Sequence, residues 1–330
     1  MAAIIPVAGV AGSRIVSTGA SRGSHVVSNE EMCTLIDSSD EWIRQRTGIE
    51  ARHWATDEET PRSLAVSACA QALERAGLQA SEIDAVILAT ISNDQAMPSL
   101  AARVAADLGC TGPAVFDLTA ACAGFCYGVG LADSLVRTGA ARQVLVVGAE
   151  VLSRLLDKTD RGTAFLFGDG AGAVVIGPSE TPQIGPTVWG SDPSQHDVLT
   201  LDEWSALGDD QEHPFIRMDG TKVFRWATTF IADKTRETLA AAGLAPEDLD
   251  VFVPHQANNR ITDSMLRHLK LPGEIVVARD IAQMGNSSAA SVPLALDAVL
   301  QSGEARSGQT ALMIGFGGGL AYAGQVVILP

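Results

Sequence analysis

The stretches ALERAGLQASEIDAVILAT, residues 72–90, and TLAAAGLAPEDLDVFVPHQ, residues 238–256, read as one pattern written twice. In each, a helical run closes on Ala-Gly-Leu, an acidic turn follows, and a short apolar β-type run begins. The copies lie 166 positions apart, and VLVVGAE (144–150) repeats as ALMIGFG (311–317) at the same offset within one residue. Two separated elements in one register favour an internal duplication over chance likeness of helix–strand units. The apolar runs at 86–89, 144–147, 251–253 and 311–314 are short and rich in branched residues, as strands covered on both faces are. Helical patterns occupy Pro61–Ala76, the stretch after Cys122 to about residue 136, residues 223–242, Asn259–Leu269 and residues 289–300. Helices and strands alternate through both copies, so a duplicated α/β fold is expected. Residues 178–216, rich in Pro, Asp, Ser and Gly with Trp189 and Trp204 scattered among them, read as a variable excursion between the halves. The expected boundary divides residues 1–177 from 178–330.

A chain of 330 residues can bury a sizeable core as one large domain or two packed halves. With 46% hydrophobic residues, 32 glycines and 19% charged residues, it suits a tightly packed α/β protein. The net charge of −16 argues against a nucleic-acid partner, because phosphate contact needs clustered Lys and Arg. The cysteines Cys33, Cys69, Cys110, Cys122 and Cys126 have neither zinc-finger spacing nor a CxxC pair, so free thiols in a reducing cytoplasm are expected. The stretch MAAIIPVAGVAGSRI has no basic n-region and no apolar run of signal-peptide length, and no other stretch spans a bilayer; no membrane partner is expected.

Chemistry concentrates in three places. In AVFDLTAACAGFCYG a strand-like start and a run of small residues bring Cys122 to the entrance of a helix. There the unpaired backbone N–H groups and the helix dipole favour the nucleophilic thiolate, and Ala120, Ala121, Ala123 and Gly124 leave room for an acyl chain. A cysteine in an apolar segment is otherwise an inert core residue, the reading kept for Cys126. His255 ends the run VFVP, where buried strands of α/β sheets deliver functional side chains, although a lone histidine is as readily structural. Asn286, in MGNSSAAS, stands near the repeat-equivalent place of Cys122; it also suits a simple helix cap. The glycine-rich GFGGGLAYAG, residues 315–324, follows a strand and lacks the GxGxxG and GxxxxGK[ST] contexts, which leaves a backbone oxyanion hole as its better use.

Cys122 in AACAGF, His255 in HQAN, Asn286 in GNSSAAS and the terminal FGGG together resemble the β-ketoacyl-acyl-carrier-protein synthase III family. SSDEWIRQRTGI (38–49), RGTAFLFGDGAGA (161–173) and MDGTKVFRWA (218–227) extend the resemblance over nearly the whole chain, in the family's order and spacing. The resemblance implies a duplicated thiolase fold layered α-β-α-β-α, a homodimer, and acyl transfer from an acyl-coenzyme A onto Cys122 followed by decarboxylative condensation with malonyl-acyl-carrier protein. It implies Cys122 as nucleophile, His255 and Asn286 as the pair assisting decarboxylation, and the N–H groups of Cys122 and Gly318 as oxyanion donors. Trp42 and Arg46, with Arg161 opposite, match the positions that clamp the adenine of coenzyme A; Trp42 also suits a core and Arg46 a surface ion pair. Ser38, Gly220, Phe224, Ala257 and Asn258 match further coenzyme-lining positions. Arg225, Arg260 and Arg267 match basic positions where the acidic carrier docks. No metal and no cofactor is implied; coenzyme A enters as the substrate's thioester.

One departure bears on substrate. Met97, in NDQAMPS, falls where some acetyl-selective relatives carry a Phe that closes the primer pocket across the dimer interface. Methionine is narrower and more adaptable, so longer or branched primers are admissible. Initiation of fatty-acid synthesis is the leading reading, with priming of a specialised polyketide as the alternative. A noncatalytic carrier-binding scaffold would not need Cys122, His255 and Asn286, and a degradative thiolase is expected to carry a second cysteine that residues 311–324 lack.

Overall fold

A computed structural model describes residues 7–207, 211–271 and 273–330. Ten strands form two five-stranded sheets. The first holds β1 (Gly12–Arg22), β2 (Ala85–Ala89), β3 (Ala114–Leu118), β4 (Val144–Glu150) and β5 (Gly170–Ser179) in the order β3-β2-β4-β5-β1. The second holds β6 (Val188–Ser191), β7 (Val251–Pro254), β8 (Val276–Val277), β9 (Thr310–Gly317) and β10 (Ala321–Ile328) in the order β8-β7-β9-β10-β6. The senses match as well: the first three strands in each order run parallel, and the last two pair antiparallel. The duplication read from residues 72–90 and 238–256 therefore extends to the topology of both sheets. Sheet one passes to sheet two through residues 180–187, just beyond the expected boundary. The excursion read at 178–216 contributes β6, which completes the second sheet, and a ribbon of Leu199–Leu201 paired with Ile216–Met218.

The principal helices are α1 (Asp40–Thr47), α2 (Pro61–Ala76), α3 (Leu100–Leu108), α4 (Gly124–Thr138), α5 (Gly220–Trp226), α6 (Ala232–Ala241), α7 (Asn259–Leu269) and α8 (Ser291–Gln301). A π-helical turn, Ala227–Ile231, joins α5 to α6. Strand side chains alternate between two cores, as a period of two requires. From β2, Ala85 and Ile87 pack with Phe125 and Val129 of α4 and Val292 and Leu296 of α8, whereas Val86 and Leu88 pack with Leu64 and Val104 of α2 and α3. From β9, Met313 joins the α4–α8 core and Leu312 and Ile314 join Leu239 and Met265 of α6 and α7. Helices α4 and α8 thus lie between the sheets, and the layering is α-β-α-β-α. Local signals agree: Thr60 and Ser63 close a capping box over α2, Pro61 opens it, and Gly77 ends it at φ 67°. Among the described residues no helix is long and apolar enough to cross a membrane.

Candidate active site

Cys122 stands where β3 gives way to α4. Ala121 takes φ 45°, a left-handed turn that redirects the chain, and Ala121–Ala123 form one 3-10 turn before the helix begins. The thiol is inside this junction, only 5% exposed, rather than exposed at it. A Cβ at Gly317 would lie 2.6 Å from Sγ, so glycine is what lets β9 approach the thiol. The N–H groups of Gly318 and of Cys122 itself lie against the sulfur and favour its ionised form, yet burial outweighs them and pushes the thiol up to about 11. The helix entrance supplies the donors, and the packing around it desolvates the thiol. Cys126, one turn further along, is wholly buried and is pushed up to about 12.

His255 sits just past β7, 2% exposed, its backbone N–H donating to Ile314 O of the neighbouring strand at 2.7 Å. Nδ1 is 2.6 Å from Ser291 Oγ at the start of α8. That oxygen also accepts the N–H of Gln256, which directs its own proton to Nδ1 and leaves the ring proton on Nε2. Burial pulls His255 down to about 3, so the imidazole is a neutral donor at physiological pH. Its ring packs edge-on against Phe316, with centroids 5.3 Å apart. Asn286 is bridged to Phe167, and its N–H donates to Leu166 O at 2.8 Å. Its Oδ1 accepts the N–H of Ser288 at 2.9 Å, which fixes the turn before α8 and leaves the amide Nδ2 for the cavity. The capping and functional readings of Asn286 are therefore compatible.

Cys122 lies on two cavities, the first of which His255 and Asn286 also line. That first cavity, about 500 Å³, is lined by Cys122, His255 and Asn286 at its base and by Trp42, Arg46 and Phe224 towards its mouth. Gly220, Ala257, Asn258 and Arg260 also line it. At the mouth the Trp42 ring lies 5.6 Å from the Arg46 guanidinium and 5.0 Å from that of Arg161. Asn258 caps α7 and donates to Arg46 O at 3.1 Å, joining the two sides of the mouth. Ser38 is away from this lining; its buried hydroxyl has no hydrogen-bond partner among the described residues. The second cavity, about 540 Å³, begins at Cys122 and is walled by apolar groups that include Leu152, Phe167, Leu199 and Ile216. Arg225, Arg260 and Arg267 are exposed on α5 and α7, and among the described residues none makes an ion pair. Met97 is 84% exposed and lines neither cavity of its own chain.

Comparison with known proteins gives this geometry a family. Residues 116–193 match the model for 3-oxoacyl-[acyl-carrier-protein (ACP)] synthase III and residues 239–329 the model for its C-terminal part. The chain is 49% identical over 333 residues to the β-ketoacyl-[acyl-carrier-protein] synthase III of Streptomyces glaucescens, with 100% of each covered. The chain belongs to the 3-oxoacyl-[acyl-carrier-protein] synthase III family. Among solved structures it superposes on the priming β-ketosynthase of the R1128 polyketide biosynthetic pathway with a TM-score of 0.96 at 44% identity, covering 100% of this chain and 99% of that one. The 3-oxoacyl-[acyl-carrier-protein] synthase III of Aquifex aeolicus gives 0.89 at 39% identity, covering 96% and 100%. The fold is the thiolase-like fold, and the protein is an acyltransferase of the synthase III type.

Sequence reasoning missed several members of this synthase III site. Ser291, which orients His255, and Gly317, which admits the thiol, sit inside motifs already singled out, but only the packing of β9 and α8 assigns them a task. Leu199 and Ile216, walls of the second cavity, lie in the stretch read as an excursion; their strand-like runs of three residues are too short to stand out. Glu150 ends β4 with no exposure at all. A lone carboxylate closing the apolar run VLVVGAE was the visible signal.

Proposed function

We propose that Cys122 takes an acyl group from acyl-coenzyme A and passes it to the carbanion formed when malonyl-acyl-carrier protein loses CO2. The observation that carries this reading is that Cys122 lies on both cavities, so a thioester entering by one can lay its acyl chain in the other. The Cys122 thiolate attacks the thioester carbonyl, and the N–H groups of Cys122 and Gly318 receive the oxyanion. Coenzyme A leaves, and the malonyl thioester takes its place in the first cavity. As its carbon–carbon bond breaks, the electron pair moves onto the thioester oxygen, where His255 Nε2–H and Asn286 Nδ2–H donate to the enolate. The enolate carbon then attacks the acyl group, expels the Cys122 thiolate and yields a 3-oxoacyl-acyl-carrier protein. Side chains and backbone supply every step, and no cofactor is called for.

Trp42 with Arg46 and Arg161 would hold the adenine by stacking, the two guanidiniums lying 5.6 and 5.0 Å from the ring. Gly220, Phe224, Ala257 and Asn258 complete the coenzyme path in this reading, and Ser38, away from that lining, drops out of it. The unpaired Arg225, Arg260 and Arg267 would steer an acidic carrier towards the mouth on a molecule of net charge −16. A homodimer is supported by the uncovered edge strand β3, with Phe116 36% exposed, and by the outward Met97, which would enter the partner's second cavity. Five free cysteines fit a reducing cytoplasm. Initiation of fatty-acid synthesis is the main reading; the likeness to a polyketide-priming ketosynthase supports priming of a specialised polyketide as the second.

Intact-mass measurement after incubation with acetyl-, butyryl- and isobutyryl-coenzyme A tests the core claim. One acyl mass per chain, mapped to Cys122 and absent in Cys122→Ala, is expected. Acylation on Cys126, or undiminished acylation of Cys122→Ala, would overturn it.

A further inference from the structure

Close to Cys122 lies a buried carboxylate that the proposed acyl transfer does not use. Glu150 is completely buried at the end of β4, and its carboxylate is held by the hydroxyls of Ser92 at 2.7 Å and Thr90 at 3.2 Å and by the N–H of Ile91 at 3.1 Å. Among the described residues no basic side chain pairs with it. Facing it across the turn before α8 is Ser288, 1% exposed and at φ 46°, whose hydroxyl lies close enough to both Glu150 and Cys122 to favour the ionised form of each. In the resting geometry that hydroxyl completes a hydrogen bond to neither. A buried hydroxyl without a partner, beside a thiol and a carboxylate, is an unusual expense for a structural role alone. On the other side, Ser92 lines a separate cavity of about 240 Å³ that opens between α2, α3 and the end of β4.

We infer that Glu150, acting through Ser288, accepts the proton of Cys122 when the thiolate forms for acylation. The S–H bond breaks as Ser288 Oγ takes the proton, and the Ser288 O–H bond breaks as its own proton passes to the Glu150 carboxylate. The cluster holds one negative charge before and after, which matters because Glu150 and Cys122 oppose each other's ionisation. The proton on Glu150 exchanges with water through Ser92, and the departing coenzyme A thiolate takes a proton from water in its own cavity. Glu150 touches no substrate; it is a positioning residue for charge. Other charged groups nearby are committed elsewhere. Asp169, just before β5, is held by Ser153 and the N–H of Ala55, and Arg154 binds the carbonyls of Thr56 and Glu59. Burial pushes Glu150 up to about 7, so its proton-accepting form grows in over the neutral range.

The inference rests on acylation at Cys122, and its test separates the two. Single-turnover acylation by acetyl-coenzyme A is measured from pH 5.5 to 10 for wild type, Glu150→Gln, Ser288→Ala and the double variant. Wild type should rise with pH around 7. Both single variants should lose about tenfold or more near pH 7.5, lose that limb, and gain rate only towards the alkaline end of the range, as the thiol begins to ionise unaided. The double variant should be no worse than either alone. An unchanged limb in the variants, or a loss uniform across pH, overturns the relay while leaving Cys122 as the nucleophile. Wild type that is never acylated overturns both. Should Glu150→Gln not fold, the profile of Ser288→Ala decides by the same criteria.

Discussion

The turn that carries Cys122 and the turn that carries Asn286 occupy matching places in the two halves, each just ahead of a helix packed between the sheets. Their backbones agree in detail. Ala121 and Ser288 take φ 45° and 46°, and they are separated by the same offset that relates β4 to β9. Each turn rests on a strand of the opposite sheet at a glycine: a Cβ on Gly315 would lie 2.8 Å from Cys122 O, and one on Gly148 would lie 2.2 Å from Ala289 O. The halves differ in what they mount on this shared frame. Cys122 corresponds to Ala289, and Gly317, which yields to the thiol, corresponds to Glu150. Duplication supplied two equivalent strained turns facing each other. On this frame one turn holds the Cys122 thiol and the other the Asn286 amide.

The largest expected effect tests that division of labour. His255→Ala and Asn286→Ala should each slow condensation on the order of 10²–10³-fold, because each removes a donor to the enolate oxygen. Acylation of Cys122 should fall far less. Equal losses in both half-reactions would mean that the second turn serves the nucleophile directly, and the contrast between the halves would break.

A second effect belongs to the pair of strand ends, Glu150 and Gly317. Glu150 carries a folded-state value raised from 4.5 to about 7 by burial, so the stability it allows is complete below about 4.5 and declines as pH rises through 7. The decline amounts to about 3 kcal/mol for a shift of this size. Glu150→Gln cannot ionise, so its unfolding free energy relative to wild type should climb by about that amount between pH 4.5 and 8. Urea melts at both pH values measure it. A difference that stays flat with pH would place the carboxyl in contact with water.

The glycines under the turns give a smaller effect that sharpens the comparison. Gly317→Ala and Gly148→Ala should both lower stability by roughly 1–3 kcal/mol through overpacking. Only Gly317→Ala should also abolish acylation, because its new methyl group meets Sγ whereas that of Gly148→Ala meets the carbonyl of Ala289. Thermal unfolding and intact mass on the two variants separate these outcomes.

Much of this frame was legible from sequence, and the reasons are local. Helix α2 could be bounded because Thr60, Pro61 and Gly77 are strong stop and start signals, and α7 because Asn258 caps it. The sheet interiors were legible because strands buried on both faces are unbroken apolar runs. Strands β1 and β6 were not legible: GSRIVSTGASR is largely polar and VWGS is four residues long, and both are defined by pairing at sheet edges rather than by their own pattern. Of the site, the residues of the motifs were readable as candidates. The state of Cys122 was not, since a helix entrance and a buried pocket pull a thiol in opposite directions and only the packing says which prevails.

The halves also differ in the connection that follows the central parallel strand, and this difference sets the smallest expected effect. After β7 the chain needs only residues 255–258 to reach α7, and His255, Ala257 and Asn258 among them line the cavity of their own chain. After β2 it takes residues 90–99 to reach α3, and the extra length carries Met97 out to 84% exposure. A long apolar side chain held that far into solvent has no use within its own chain, and in a homodimer it would close the partner's second cavity. Met97→Phe should then shrink that cavity at its far end. Specificity constants for acylation by butyryl- and isobutyryl-coenzyme A should fall relative to acetyl-coenzyme A by about tenfold, within the 1–3 kcal/mol range of a misfitting hydrophobic group. A folding defect would lower all three together, so the ratios carry the test. Unchanged ratios would put primer choice in the walls of the chain's own cavity, at Leu199 and Ile216, and would leave the longer connection as a dimer contact alone.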